Sequence, residues 1–315
     1  MPSLLLEGST ETFIQWFSRI FYECSKKILD KILTLFGFKR TLRRILTDSK
    51  ANKATTTVRI EEYFKNCDSK TYNLLEWESG DESDEASKFL EKDDEIVEVD
   101  DDIKYKLKFS MKQIKAYHLL ICLVESWRTK KYNSEDEEHE AKLYELWSLL
   151  KKDEKLTGRR SKQWEDIGFQ GSDPATDFRG MGLLGLEQLV YFAKNDIENC
   201  LKIFQLSQHP TKGFPFAICS ITISFIAKEL LINGDLKKHF YNNNISLTNV
   251  SIEDFHKAYI NLFKLFSDYW FFGDGLRDIM SFNIVKDEWI CIIKKYCLYD
   301  SANLLNLKTM QDIVF

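Results

Sequence analysis

The chemistry this chain offers is concentrated in one short stretch. Between Gly168 and Leu186 it reads GFQGSDPATDFRGMGLLGL. Five of the 13 glycines (Gly168, Gly171, Gly180, Gly182 and Gly185) crowd here with Asp173, Asp177 and one cation, Arg179. A guanidinium is a planar fork of donors that matches carboxylate or phosphate oxygens. Two uses of Arg179 follow. It pairs with Asp177 or Asp173 and pins the turn, which composition alone favours. Or it is held outward on a glycine-framed corner and enters another protein's active site.

The local signals suggest what positions it. Asp173-Pro174 is a strong turn signal. Thr176 and Asp177 are both good helix N-cap types, followed by a helical run through Leu186, Leu189, Val190 and Phe192. This spacing predicts Arg179 in or near the first turn of that helix. A helix N-terminus disfavours a cation, so Asp177, or a phosphate brought by a partner, should compensate.

The rest of the chain reads as helices. It has 315 residues, 14% aromatic, with only 4 prolines. Low proline suits helix, because proline removes a backbone donor. Stripes at helical spacing run through Ile114, Tyr117, Ile121, Val124 and Trp127, and through Leu143, Leu146, Trp147 and Leu150. The clearest is Phe255, Tyr259, Leu262, Phe266, Tyr269 and Trp270, opened by Ser251 with Asp254 three residues on, a capping-box pattern with Asp in place of Glu. A further run is expected from near Gly275 through Ile279, Trp289, Ile293 and Tyr296. FAICSITISFIAKELL is a strand by its β-branched residues and a buried helix by its length. Ile103, Tyr105, Leu107 and Phe109 alternate with lysines, which is strand spacing, but no partner strand is evident.

Three regions are expected: a basic amphipathic helical region at 1–50, a variable acidic linker at 51–109, and a helical domain at 110–315. Within the first, Phe13, Trp16, Phe17, Ile20 and Phe21 are interleaved with Arg19, Lys26, Lys27 and Lys31. Residues 13–46 read either as a membrane-surface segment or as a helix packed on the main domain with a solvated basic face. The run at 76–102 is dominated by Asp and Glu and reads as a solvated linker.

Several classes are set aside. A net charge of -5 gives no reason to expect nucleic acid. Seven scattered cysteines without a CxxC pair, and five scattered histidines, suggest neither a disulfide framework nor a metal site. No secretory leader is recognised, and the most apolar run, Phe214 to Ala227, is shorter than a membrane span. The expected location is the cytoplasm, peripheral on an intracellular membrane if residues 13–46 touch lipid. There is no GxxxxGK followed by Ser or Thr, no GxGxxG opening a helix, no HExxH and no GxSxG. No cofactor is expected.

WEDIGFQGSDPATDFRGMGLLGLEQLVYF, Trp164 to Phe192, resembles the signature of the ELMO domain, and is most similar to its GTPase-activating branch. SQHPTKGFPFAICSITI and YWFFGDGLRDIMSFNIV resemble later segments of the same family, so the likeness spans about residues 110–300. The resemblance implies an all-α, multi-helix domain that stimulates GTP hydrolysis by GTP-bound Arf or Arf-like small GTPases. It also implies that the arginine of the DFRG signature, here Arg179, is required. The chain would then be an activator with no catalytic site of its own. A non-catalytic scaffold that binds small GTPases or their regulators is the alternative. Supporting roles are expected for Gly180 and Gly182, which let a partner's backbone approach, and for Asp177, as a helix cap. Gln170 either positions water or, the preferred reading, is a structural amide. Trp164 and Phe169 are expected to anchor the corner to the core.

Overall fold

A computed structural model describes residues 42–67, 101–245, 250–275 and 277–313. The described residues are all-α, with no strand among them. They contain α1 (Lys53–Cys67), α2 (Asp101–Thr129), α3 (Glu137–Leu150), α4 (Gly182–Asn195), α5 (Ile197–Ser207), α6 (Phe216–Ile232), α7 (Lys237–Asn242), α8 (Ile252–Phe272) and α9 (Phe282–Cys297). Short 3-10 helices at Lys162–Ile167, Pro174–Arg179, Ile279–Ser281, Leu304–Asn306 and Met310–Asp312 join or follow them.

The chain divides into two compact units, Met1–Ile114 and Lys115–Phe315. In the described part of the first, Ile60 and Phe64 of α1 are buried, and Thr57 Oγ1 meets Ser110 Oγ at 3.0 Å and Gln113 Oε1 at 2.9 Å. Residues 42–46 are helical, with Leu42 and Leu46 buried. The rest of the basic stretch 13–41 and the acidic run through residue 100 lie outside the described residues. The expected linker at 51–109 contains α1 and the start of α2.

The alternation at 103–109 is helix, not strand. Burial there falls at Ile103, Ser110, Gln113, Ile114 and Tyr117, whereas Tyr105 points to water. Lengthening a helix that already has a strong stripe adds one hydrogen bond per residue, while a strand with no partner gains none.

The second unit is organised around α4, which packs against α3, α5, α6, α8 and the 3-10 helix Pro174–Arg179. Leu183, Leu184, Leu186, Leu189, Val190, Phe192 and Ala193 are all buried, so α4 is apolar nearly all round, as a central helix must be. FAICSITISFIAKELL is the buried helix α6. Two of its hydroxyls bond back along the helix, Thr222 to Ile218 O at 2.8 Å and Ser224 to Ser220 O at 3.1 Å, and that of Ser220 meets the Tyr259 hydroxyl of α8 at 2.5 Å, so each is satisfied in the core. The α8 stripe faces inward as its spacing predicts at Phe255, Tyr259, Leu262, Phe266 and Trp270, while Tyr269 is only partly buried. Ser251 caps α8 by accepting from Glu253 N at 3.2 Å, and Asp254 pairs with Lys257, so the helix has a simple side-chain cap in place of the expected capping box. The run expected from Gly275 breaks at Asp278 and Ser281, whose mutual cap closes a separate 3-10 turn. Ile279 lies in that turn and is exposed, while Trp289 and Ile293 of α9 are buried.

Candidate functional site

The corner between α3 and α4 rests on an aromatic ladder. Ring centroids step from Trp147 of α3 to Trp164 at 5.4 Å, to Phe169 at 5.8 Å, to Phe178 at 5.6 Å, to Tyr132 at 5.3 Å and to His139 at 5.7 Å. Trp164, Phe169 and Phe178 are buried, so the two expected anchors are present together with a third. The first three pairs are edge-to-face, the Phe178–Tyr132 pair is tilted and the Tyr132–His139 pair is stacked, and aromatic pairs add about 0.5–1.5 kcal/mol each beyond the area they bury. The indole donors are also satisfied: Trp164 Nε1 donates to Arg159 O at 2.9 Å, and Trp147 Nε1 to Glu154 O at 2.7 Å.

Two glycines are required by the fold itself. Gly168 ends the 3-10 helix Lys162–Ile167 at φ 88, and a Cβ there would lie 2.3 Å from Phe216 N. Its carbonyl accepts from Ile218 N at 3.2 Å, stitching the corner to the start of α6. Gly182 has φ 54, and a Cβ would lie 2.1 Å from Arg128 O, beside the point where Leu183 N donates to Lys130 O at 2.7 Å. The expectation that Gly182 serves a partner's approach is therefore corrected: its missing side chain makes room for the end of α2. Gly180 differs. Its backbone is right-handed, at φ -80 and ψ -36, it is exposed, and a Cβ would meet nothing within 4 Å.

The charge that pins the corner is Arg159. Its Nε donates to Glu140 Oε1 at 2.6 Å, Nη1 to Asp173 Oδ1 at 2.9 Å and Nη2 to the Tyr132 hydroxyl at 3.4 Å. The guanidinium also lies 5.7 Å from the centre of the Tyr132 ring, and the Tyr132 hydroxyl donates to Glu140. Burial opposes the Arg159 charge, but the hydrogen bonds of Glu140 and Asp173 outweigh it and raise its pKa further. Burial likewise pushes the Asp173 carboxyl up, and the Ala175 N–H with Arg159 and Arg160 carries it below the usual range. Burial, then the bond to Glu140, raises the Tyr132 hydroxyl. Arg159 is the residue that sequence reasoning missed. Its partners Tyr132, Glu140 and Asp173 stand at no helical or turn spacing from it, so no local pattern signals them.

Arg179 is the last residue of the 3-10 helix Pro174–Arg179. It is exposed, and among the described residues it makes no hydrogen bond or ion pair. The pairing with Asp173 that composition favours is absent because Arg159 and Arg160 occupy that carboxylate. Nor does Arg179 lie in the first turn of α4. Asp173, not Thr176 or Asp177, is the N-cap, accepting from Ala175 N at 3.1 Å, and it caps the short 3-10 helix. The cap position of α4 is Met181, which has no side-chain bond. Proline fixes the first turn at Pro174, and Gly182 breaks the path into α4, so the two helices stay separate.

Asp177 is a latch rather than a helix cap. Its Oδ2 accepts from Gln170 N at 2.8 Å, closing the loop between the two 3-10 helices. Burial raises its pKa, offset in part by the Gln170 N–H, by Thr176 and by the nearby Arg179 charge. Gln170 contributes its backbone N–H; its exposed side-chain amide makes no hydrogen bond among the described residues, which corrects the structural-amide reading. Among the described residues no group of His, Cys, Asp and Glu is arranged to hold a metal ion. Chemically, the site offers one exposed guanidinium, tethered at its base and free at its tip, able to fork onto oxygens of an external anion.

The fold and site thus define an all-helical domain built around an arginine-bearing corner at the start of its central helix. The chain belongs to the ELMO/CED-12 family, whose family model matches residues 122–286. It is 34% identical to mouse (Mus musculus) ELMO domain-containing protein 1 over 297 residues, covering 88% of each chain. It is 42% identical to bovine (Bos taurus) ELMO domain-containing protein 2 over 192 residues, 61% of this chain and 64% of that one. ELMO domain-containing protein B of Dictyostelium discoideum is 34% identical over 195 residues, 62% of this chain and 66% of that protein. The match therefore spans just under two thirds of some curated relatives and most of the length of others. No solved structure matches the chain.

Proposed function

We propose that this protein is a GTPase-activating protein for Arf or Arf-like small GTPases, and that Arg179 is the group it supplies in trans to the GTP-bound partner. The observation that carries the reading is the contrast at the corner: Arg159, Asp173 and Asp177 are each engaged by local partners, whereas the exposed Arg179 guanidinium makes no hydrogen bond or ion pair among the described residues. Membership of the ELMO/CED-12 family supports it.

Hydrolysis of GTP spreads negative charge over the transferring phosphoryl oxygens, and a guanidinium inserted beside them stabilises that charge when it develops. Such an arginine is worth about 10³–10⁵ in rate. The rigid ladder beneath Arg179 means that little of the binding energy is spent ordering it. Gly180, beside it, leaves its backbone open to close approach. The protein itself needs no cofactor and turns over nothing alone; it activates the partner's own chemistry. Residues 13–41 carry the accompanying proposal of contact with an anionic membrane surface. Liposome flotation of the full chain and of a variant truncated before Leu42 tests it, and equal flotation of the two removes it.

The deciding experiment is single-turnover GTP hydrolysis by a panel of Arf-family GTPases, with native protein and with Arg179→Lys. Stimulation that disappears in a folded Arg179→Lys variant supports the reading. Binding of a GTPase with no stimulation by native protein replaces it with that of a non-catalytic scaffold.

A further inference from the structure

We infer that Arg159 is the positioning residue for Arg179, because its one guanidinium holds Asp173 at the start of the short helix that carries Arg179, and Tyr132, whose ring packs on Phe178 at its end. The inference rests on the reading of Arg179 as the group supplied in trans.

A six-residue 3-10 helix has too few internal bonds to hold itself, and depends on what grips its ends. At its start the grip is Asp173, which caps Ala175 and is fixed by Arg159 at 2.9 Å. At its end the grip is Phe178, the residue before Arg179, wedged between Phe169 and the Tyr132 ring. Tyr132 is itself held by Arg159, which lies over its ring and meets its hydroxyl. The remaining arm of Arg159 reaches Glu140 of α3, so both grips are referred to a rigid helix. Losing this clamp leaves the Arg179 side chain intact but lets its base shift, and a displacement of about 1 Å at a catalytic group costs on the order of a hundredfold.

Arg159→Lys keeps the charge and the Arg159 carbonyl that receives Trp164, but an ammonium cannot fork to Asp173 and Glu140 while lying over Tyr132. Asp173→Asn is the second variant. It keeps an oxygen to cap Ala175 and removes the ion pair. The measurements are stimulated GTP hydrolysis against GTPase concentration, thermal melting, and hydrogen exchange of the segment 168–181 in the full chain.

For Arg159→Lys the expected result is a fall in maximal rate of roughly 10- to 100-fold. The half-saturating GTPase concentration stays within about twofold, since the contact face is unchanged. Exchange across 168–181 becomes faster, and Asp173→Asn moves every readout the same way by less. A folded Arg159→Lys variant with the full maximal rate, while Arg179→Lys is inactive, overturns the positioning role and leaves the function of Arg179 standing. If Arg179→Lys stimulates as native protein does, or native protein stimulates none of the panel, the reading of Arg179 falls and takes this inference with it.

Discussion

Two arginines in this corner have the same side chain and opposite circumstances. Arg159 is half-buried, engaged by Glu140, Asp173 and Tyr132, and raised in pKa by those partners against the pull of burial. Arg179 is exposed and, among the described residues, unbonded. The difference lies in which cation reaches the carboxylate first. Asp173 is held by Arg159 and Arg160, and Asp177, near enough to feel the Arg179 charge, gives its close hydrogen bond to the Gln170 N–H, so neither carboxylate forms an ion pair with Arg179. A protein that needs an arginine for an outside partner must satisfy its own acids with other groups. Here the base and the tip of the corner have been given to different residues.

That division predicts which changes hurt which property. Arg179→Lys is expected to have the largest effect: loss of about 10³-fold or more in stimulated hydrolysis, or at least about 4 kcal/mol of barrier. Its melting temperature should match the native protein. A variant that melts early would place Arg179 in the base and erase the contrast with Arg159.

Next in size are changes to the base and core measured as stability. Gly182→Ala forces a Cβ toward Arg128 O at a positive φ and should cost roughly 3 kcal/mol or more in a denaturant titration. Comparable stability of Gly182→Ala and native protein would show that the end of α2 yields easily and that the base is not rigid.

Acid should act on the core in a defined window. Burial lowers the pKa of both His239 and His256 to about 4 from an ordinary 6.5. His239 Nδ1 accepts from Leu304 N at 3.1 Å, and His256 lies against the Tyr191 ring at 4.7 Å. Between pH 6.5 and 4 the unfolded chain binds protons that the folded one refuses. The contribution is therefore intact above pH 6.5 and lost as pH falls toward 4, on the order of 3 kcal/mol for each histidine. Denaturant midpoints measured across that range should fall, and substitution of either histidine by Gln should flatten the slope; a pH-independent midpoint would contradict neutral burial.

The smallest stability effect belongs to the tip. Gly180→Ala should leave stability within about 0.5 kcal/mol, or raise it slightly by restricting the unfolded chain. Its cost should appear only as a higher half-saturating GTPase concentration. Unchanged activation would mean that no partner backbone comes near this residue.

Much of this was legible in the sequence. The period-3.6 stripes announced α3, α4 and α8, because core-facing positions recur wherever a helix lies against a core. The unusual density of glycines marked the corner, and Trp164 and Phe169 were recognisable as its anchors. Less legible were choices between competing local signals. The alternation at 103–109 went to helix because the neighbouring stripe propagates, and Thr176 and Asp177 lost the cap to Asp173 because Pro174 starts the turn earlier. For Gly180 and Gly182 no local signal separates the two, since what sets them apart is the distance to the α2 carbonyls.

What the sequence by itself determined is therefore the helical class, the family signature and the presence of an arginine in a sharp corner, all carried by residues close together along the chain. Which arginine is tied and which is free was decided only by the tertiary structure. Tyr132, Glu140, Arg159 and Asp173 are far apart in the chain and meet only when α3 and the corner pack together. Electrostatic pairing depends on distance in space, and that distance does not exist until the chain has folded.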